Sequence, residues 1–254
     1  MARNDRRRFL ARVITGAGAL ALAGCDRLSR TEWFPRFLGI GEQLNAKAQH
    51  LITGRKSMAQ EFTEADLSPQ FRSNGTGNPD DAQYRSLAAA GFAGYRLQVG
   101  GLVEHPAEFS LDELRALPSR TQITRHDCVE GWSAIGKWTG VPLGTVLERV
   151  KPRAEARYVV FYCADPMNES GTRYYESVDM EDAYHPQTIL AYALNGAALP
   201  VANGAPIRVR VERQLGYKMA KYIMRIELVT SFDRIGGGKG GYWEDEGYEW
   251  YAGI

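Results

Sequence analysis

Residues 158–163 read YVVFYC, a short unbroken run of β-branched, aromatic and small apolar residues. Such a run is the pattern of a strand buried on both faces. A second run, ILAYAL at 189–194, ends in Asn195-Gly196, a dipeptide that closes a tight hairpin. Around these two, Tyr95, Leu97 and Val99 alternate with Arg96, Gln98 and Gly100, the period of a half-buried strand. Residues 121–129 read as a strand running into a polar loop, and 221–231 as a last long strand. In 207–211 the alternation predicts Ile207, Val209 and Val211 inward and Arg208 and Arg210 outward. Two short helices interrupt this pattern. Ser110-Leu111-Asp112-Glu113 is a capping box opening a helix that stops before Pro118, and 142–150 is a helix with proline in its first turn. Strands dominate and βα alternation is missing, so the expected class is α+β: strand-rich mixed sheets with short helices.

The flanks carry a different message. Arg6-Arg7-Arg8-Phe9-Leu10 fits the twin-arginine pattern, and a short apolar stretch follows over 13–23. A membrane span needs about 20 apolar residues, so this reads as a secretory address. Leu22-Ala23-Gly24-Cys25 is similar to a bacterial lipobox, which predicts a signal over 1–24 and an inner-membrane lipid anchor on Cys25. The expected location is the periplasm. Residues 25–70 read as a tether and surface segment with one helix around 42–52. Residues 71–81, FRSNGTGNPDD, are dense in turn formers and make a candidate site loop. The main domain is expected over 71–235, followed by an ordered, aromatic and acidic tail over 236–254.

Charge excludes one class of partner. Removing residues 1–24, with five Arg and one Asp, takes the formal charge from +1 to −3. A slightly acidic chain without a basic block has no footprint for nucleic acid. Apart from Cys25, the cysteines are Cys128 and Cys163, too few for a disulfide framework. No GxGxxG, Walker, HExxH or GxSxG pattern occurs. Cys128 stands in RHDCVEGW, residues 125–132. A core thiol, a bridge to Cys163, a nucleophile served by His126 or His185, and a metal ligand all remain open on residues alone. A soft metal suits a thiolate, but one protein thiolate is not a full ligand set, so the metal would arrive on an organic cofactor. Anion-binding chemistry is present in Asn203-Gly204-Ala205-Pro206-Ile207-Arg208 and in Gly216-Tyr217-Lys218-Met219-Ala220-Lys221.

Four segments in order, CVEGWSAIGKWTGVPL (128–143), AYHPQTIL (183–190), LPVANGAPIRV (199–209) and LGYKMAKYI (215–223), resemble the molybdopterin-binding domain of the sulfite oxidase family. The likeness is to the bacterial branch that includes the periplasmic methionine-sulfoxide reductase catalytic subunit. The resemblance implies a sulfite oxidase-type fold and a Mo-molybdopterin cofactor with Cys128 as metal ligand. It implies cofactor contacts from Asn74, Cys163, His185, Asn203, Arg208 and the run Gly216, Tyr217, Lys218, Met219, Ala220 and Lys221. Cys163 departs from the threonine of the reductase branch. Asp127, Glu130 and Trp132 are expected on the substrate side.

Sulfite oxidases carry Arg-Asn-His where this chain has Ser73-Asn74-Gly75, and arginines shortly after the metal cysteine. Arginine pairs bind oxyanions, so their replacement implies a small neutral substrate such as a sulfoxide rather than sulfite. No CxxCH haem motif occurs, so electrons are expected from a membrane haem protein or a cytochrome. The competing expectation is a non-catalytic, lipid-anchored binding or assembly protein on the same scaffold.

Overall fold

The computed structural model describes residues 57–254, with Thr31, Trp33, Phe34 and Leu44 before them. The expected signal, the lipobox cysteine and, apart from Leu44, the helix expected over 42–52 lie outside the described residues. Two five-stranded sheets organise the unit Gly54–Ile254. The first holds β1 (Arg96–Gly101), β2 (Ala107–Ser110), β5 (Tyr158–Pro166), β6 (Arg173–Asp179) and β10 (Ile223–Val229), ordered β2-β1-β10-β5-β6. Only β1 and β10 pair in parallel there. The second holds β3 (Arg120–Asp127), β4 (Ser133–Pro142), β7 (Ile189–Leu194), β8 (Ala197–Ala198) and β9 (Arg208–Arg210), all antiparallel, with β7 pairing β4, β8 and β9.

Short helices join them: α1 (Ala82–Ala89), α2 (Leu111–Ala116), α3 (Leu143–Val150), α4 (Met180–Ala183) and α5 (Tyr242–Asp245). The expected class, strand-rich mixed sheets with short helices, is the one observed. Ser110 caps α2 by accepting from the Glu113 amide, whose carboxylate accepts from the Ser110 amide. Helix α3 buries Leu143, Val146, Leu147 and Val150, the i, i+3, i+4, i+7 stripe of a core-facing helix. Asn195 and Gly196 take positive φ, as the tight β7–β8 hairpin requires. The main core gathers Leu97 and Val99 of β1, Val159 and Phe161 of β5, Val209 of β9 and the buried stripe of α3.

One expectation is overturned. Arg208 and Arg210 do not face solvent; both are wholly buried. The strand they occupy is three residues long and packs against Trp138, whose ring lies 5.2 Å from the Arg208 guanidinium and 4.5 Å from that of Arg210. Residues 57–70 run against the second sheet, where Phe62 donates its amide to Ile123 and Ser68 its amide to Ile135.

Candidate active site

Cys128 sits in the five-residue loop that joins β3 to β4. Register pairing brings Asp127 opposite Ser133. The Cys128 amide donates to the Trp132 carbonyl at 2.9 Å, and Gly131, at φ 82°, donates back to the Cys128 carbonyl. A tight loop on a rigid hairpin therefore projects the thiol at the end of the second sheet. Cys128 is partly exposed and Cys163 is buried; both thiols are free. Burial pushes both above the ordinary thiol range, Cys163 well above.

The loop faces an open-mouthed cavity of about 180 Å3. Cys128, Val129 and Glu130 form one wall. The loop residues Asn74, Gly75 and Thr76 form another. Gly216, Tyr217, Met219 and Lys221 enter from the run between β9 and β10, and Asp165, Met167 and Tyr174 from β5, its following turn and β6. Trp243 and Tyr248 of the tail complete it. Gly216 is dictated by packing: a Cβ there would stand 2.4 Å from the His126 ring.

Behind the cavity lies a second layer. The Arg208 guanidinium donates to the carbonyls of Asn203 at 3.2 Å and Met219 at 3.1 Å. Lys221 gives its ammonium to the carbonyls of Asn74, Thr76 and Ala202. Among the described residues neither cation has a carboxylate at ion-pair distance. Burial, then the neighbouring Arg210, pulls Arg208 down to about 9. Burial, then Arg208, pulls Lys221 down to about 7. Asp165 is raised to about 6, chiefly by burial. Several buried polar atoms here lack partners: Asn74 Oδ1, Asn203 Nδ2, Arg208 Nε and Asp165 Oδ1. A buried cation pair with no carboxylate at ion-pair distance among the described residues, with orphaned donors beside an open cavity, fits an anionic cofactor that supplies the missing acceptors.

The predicted residues divide into three groups. Asn74, Cys128, Glu130, Gly216, Tyr217, Met219 and Lys221 line the cavity. Asn203, Arg208, Ala220 and Cys163 stand behind it, buried. Asp127, Trp132, Lys218 and His185 are not brought to it. Asp127 accepts from Ser133 and Arg125 on the far side of the hairpin. Trp132 stacks near His126 and donates to Glu130 at 2.9 Å. The Lys218 ammonium is locked between Glu176 and Glu244, which compensate its charge, and it does not line the cavity. His185 bonds the Ser57 carbonyl and the Gln187 amide on the flank of the second sheet.

Sequence reasoning missed Thr76, Asp165, Tyr174, Trp243 and Tyr248, which have no local motif. It also missed Arg72, whose guanidinium lies 5.5 Å over the Trp132 ring and acts electrostatically on the Cys128 thiol. Among the described residues no group of three or more His, Cys, Asp or Glu could hold a metal ion. A metal at Cys128 would therefore need most of its ligands from elsewhere.

A partly exposed thiol and a buried cation pair at one cavity make a site suited to an anionic cofactor, and comparison gives the class. Residues 86–234 match the family model described as oxidoreductase molybdopterin binding domain, and the chain belongs to that family. It is 40% identical over 248 residues to the putative protein-methionine-sulfoxide reductase subunit YedZ1 of Azospira oryzae, covering 98% of this chain and 87% of that one. It is 34% identical over 234 residues to the protein-methionine-sulfoxide reductase catalytic subunit MsrP of Xanthomonas axonopodis pv. citri, covering 89% and 70%. The sulfane dehydrogenase SoxCD of Paracoccus pantotrophus aligns at TM-score 0.48 and 24% identity, covering 54% of this chain and 39% of that one. The chain is thus a molybdopterin-binding oxidoreductase.

Proposed function

We propose that this protein is a molybdenum-molybdopterin enzyme that reduces a small or protein-bound neutral sulfoxide to a thioether. Two electrons and two protons enter, and the oxygen leaves as water. The observation that carries the reading is the uncompensated pair Arg208 and Lys221 behind a cavity whose rim holds the Cys128 thiol. Arg208, Lys221 and the orphaned amide of Asn203 would hold the anionic end of the pterin, and Cys128 would ligate the metal. When bound, the group supplies a redox-active metal competent for oxygen-atom transfer.

The chain's own residues do the rest. Tyr217, Met219 and Trp243 keep the cavity apolar and exclude water. Asp165, raised to about 6 by burial, is a titratable group on the cavity wall that takes up a proton as the pH falls toward that value. Glu130, steadied by the Trp132 indole, sets a negative rim that disfavours anions such as sulfite. The relatives named for methionine-sulfoxide reduction support the substrate class. Because no CxxCH haem motif occurs in the sequence, the expected electron donor is a separate membrane haem protein or cytochrome. The twin-arginine and lipobox patterns support export to the periplasm and a lipid anchor on Cys25.

Molybdenum per chain, measured by mass spectrometry on protein exported through its own signal, tests the reading beside Cys128→Ala. About one molybdenum per chain, sulfoxide turnover in the native chain and none in the variant are expected. A native chain without molybdenum from a cofactor-competent host would overturn the reading.

A further inference from the structure

The family match ends at residue 234, yet two cavity residues, Trp243 and Tyr248, come from beyond it. What holds them there is a cluster the cofactor does not use. The Lys218 ammonium donates to Glu176 Oε1 and Glu244 Oε1, each at 2.5 Å, and all three side chains are at most 1% exposed. Glu176 belongs to β6, Lys218 to the run lining the cavity, and Glu244 to α5. The cluster thus joins the tail to both walls. Gly241 is part of the fit, since a Cβ there would lie 2.0 Å from Glu244 Oε2 and 2.8 Å from Glu176 Oε1. Two carboxylates share one lysine, and burial drives Glu176 well above the ordinary carboxylate range. Further ties align the segment. Trp250 donates to Ser177, which donates to the Gly240 carbonyl, and Tyr217 donates to the Glu249 carbonyl at 2.6 Å. Trp243 and Tyr248 stack 5.4 Å apart, and Tyr248 meets Tyr217 edge-on at 5.2 Å.

We propose that Glu244 and Lys218 are positioning residues that hold Trp243 and Tyr248 in the cavity wall, and that these two rings contact the substrate and set its specificity. Aromatic faces favour a polarisable sulfur with its alkyl groups and repel an anion. The inference rests on the sulfoxide reading for its substrate, but the anchoring does not.

The test uses the molybdenum-loaded full chain. Glu244→Ala cuts the tail from Lys218 while leaving the Lys218–Glu176 pair intact, so the fold survives. Glu244→Gln keeps the hydrogen bond and serves as rescue. Hydrogen exchange over residues 241–250, molybdenum content, and KM and kcat with dimethyl sulfoxide are read for both, and for Trp243→Ala. Glu244→Ala is expected to speed exchange in 241–250 and to raise KM about fivefold to tenfold at unchanged kcat and molybdenum content. Glu244→Gln should restore both. Trp243→Ala should give the same KM, and the double variant no further rise, because both act through one ring. Unchanged exchange in Glu244→Ala overturns the anchor, as does molybdenum lost in step with it, which would tie the cluster to the cofactor. Faster exchange at unchanged KM overturns the role of the rings. If the loaded native enzyme reduces no sulfoxide, the sulfoxide reading has failed instead, and exchange alone decides the anchor.

Discussion

Arg208 and Arg210 lie two residues apart on one strand, and Lys218 and Lys221 three apart in one loop, yet each pair splits the same way. Arg210 meets both oxygens of Glu212, at 2.9 and 2.6 Å, with neither side chain exposed. Lys218 is clamped by two carboxylates. Arg208 and Lys221 receive only carbonyls, and both are shifted toward the neutral form. A buried charge with its counter-ion is architecture. A buried charge without one is held against its own solvation, which is reasonable only where a ligand completes it. On the proposed reading, Arg210 and Lys218 serve the fold, and Arg208 and Lys221 would serve the cofactor.

The sharpest way to break this contrast is to remove each lysine in turn from cofactor-free protein. Lys218→Met strands two buried carboxylates and should cost about 3–5 kcal/mol in urea unfolding. Lys221→Met removes a cation that has no carboxylate at ion-pair distance, though Asp165 shares its cavity wall, and leaves carbonyls close to the cavity's water, at a cost on the order of 1 kcal/mol. Molybdenum retention should invert the order, falling more in Lys221→Met. Equal losses of stability would dissolve the distinction.

A subtler effect sharpens it through pH. Lys221 titrates at about 7 in the fold against an ordinary lysine value of 10.5. Between those values the unfolded chain binds more protons, so stability of the cofactor-free protein rises with pH across that window. Below about 7 both states are protonated and the penalty of a buried charge is fully present; it is relieved as pH climbs toward 10.5. The difference between the native chain and Lys221→Met isolates this contribution from other groups. An anionic ligand should erase it by restoring the charged form. A native profile parallel to that of the variant would count against an uncompensated Lys221.

Much of this was legible in the sequence, and what was not has a physical cause. The β1 alternation, the Ser110 capping box and the Asn195-Gly196 turn are local signals, and each element stands where its residues predict. Asn74, Cys128 and the 216–221 run converge on one cavity because loops at one end of the sheets carry them. The direction of Arg208 and Arg210 was not legible. Alternation assumes a solvated face, and that face is covered by Trp138 and by Glu212, contacts that no period in the sequence encodes. The partners of Lys218 sit 42 residues before it and 26 after it. A motif that reads GYKMAK as one anion site cannot separate its two lysines.

The smallest expected effect concerns Arg72, an exposed cation that the contrast does not cover. It stacks over Trp132 and is felt by the Cys128 thiol, so at the Cys128 side of the cavity it favours an anionic substrate. It does not line the cavity wall, and solvent screens it. For a neutral sulfoxide, Arg72→Gln should change kcat/KM by no more than about fivefold, the range of an exposed charge. For sulfite, whose affinity would depend on that guanidinium, a loss of tenfold or more is expected, as for a charge-assisted bond. Steady-state kinetics with both substrates on the loaded enzyme separates the cases. A large loss with sulfite and measurable sulfite turnover in the native chain would show that one arginine outside the usual positions suffices, and that Glu130 does not set the sign of the pocket.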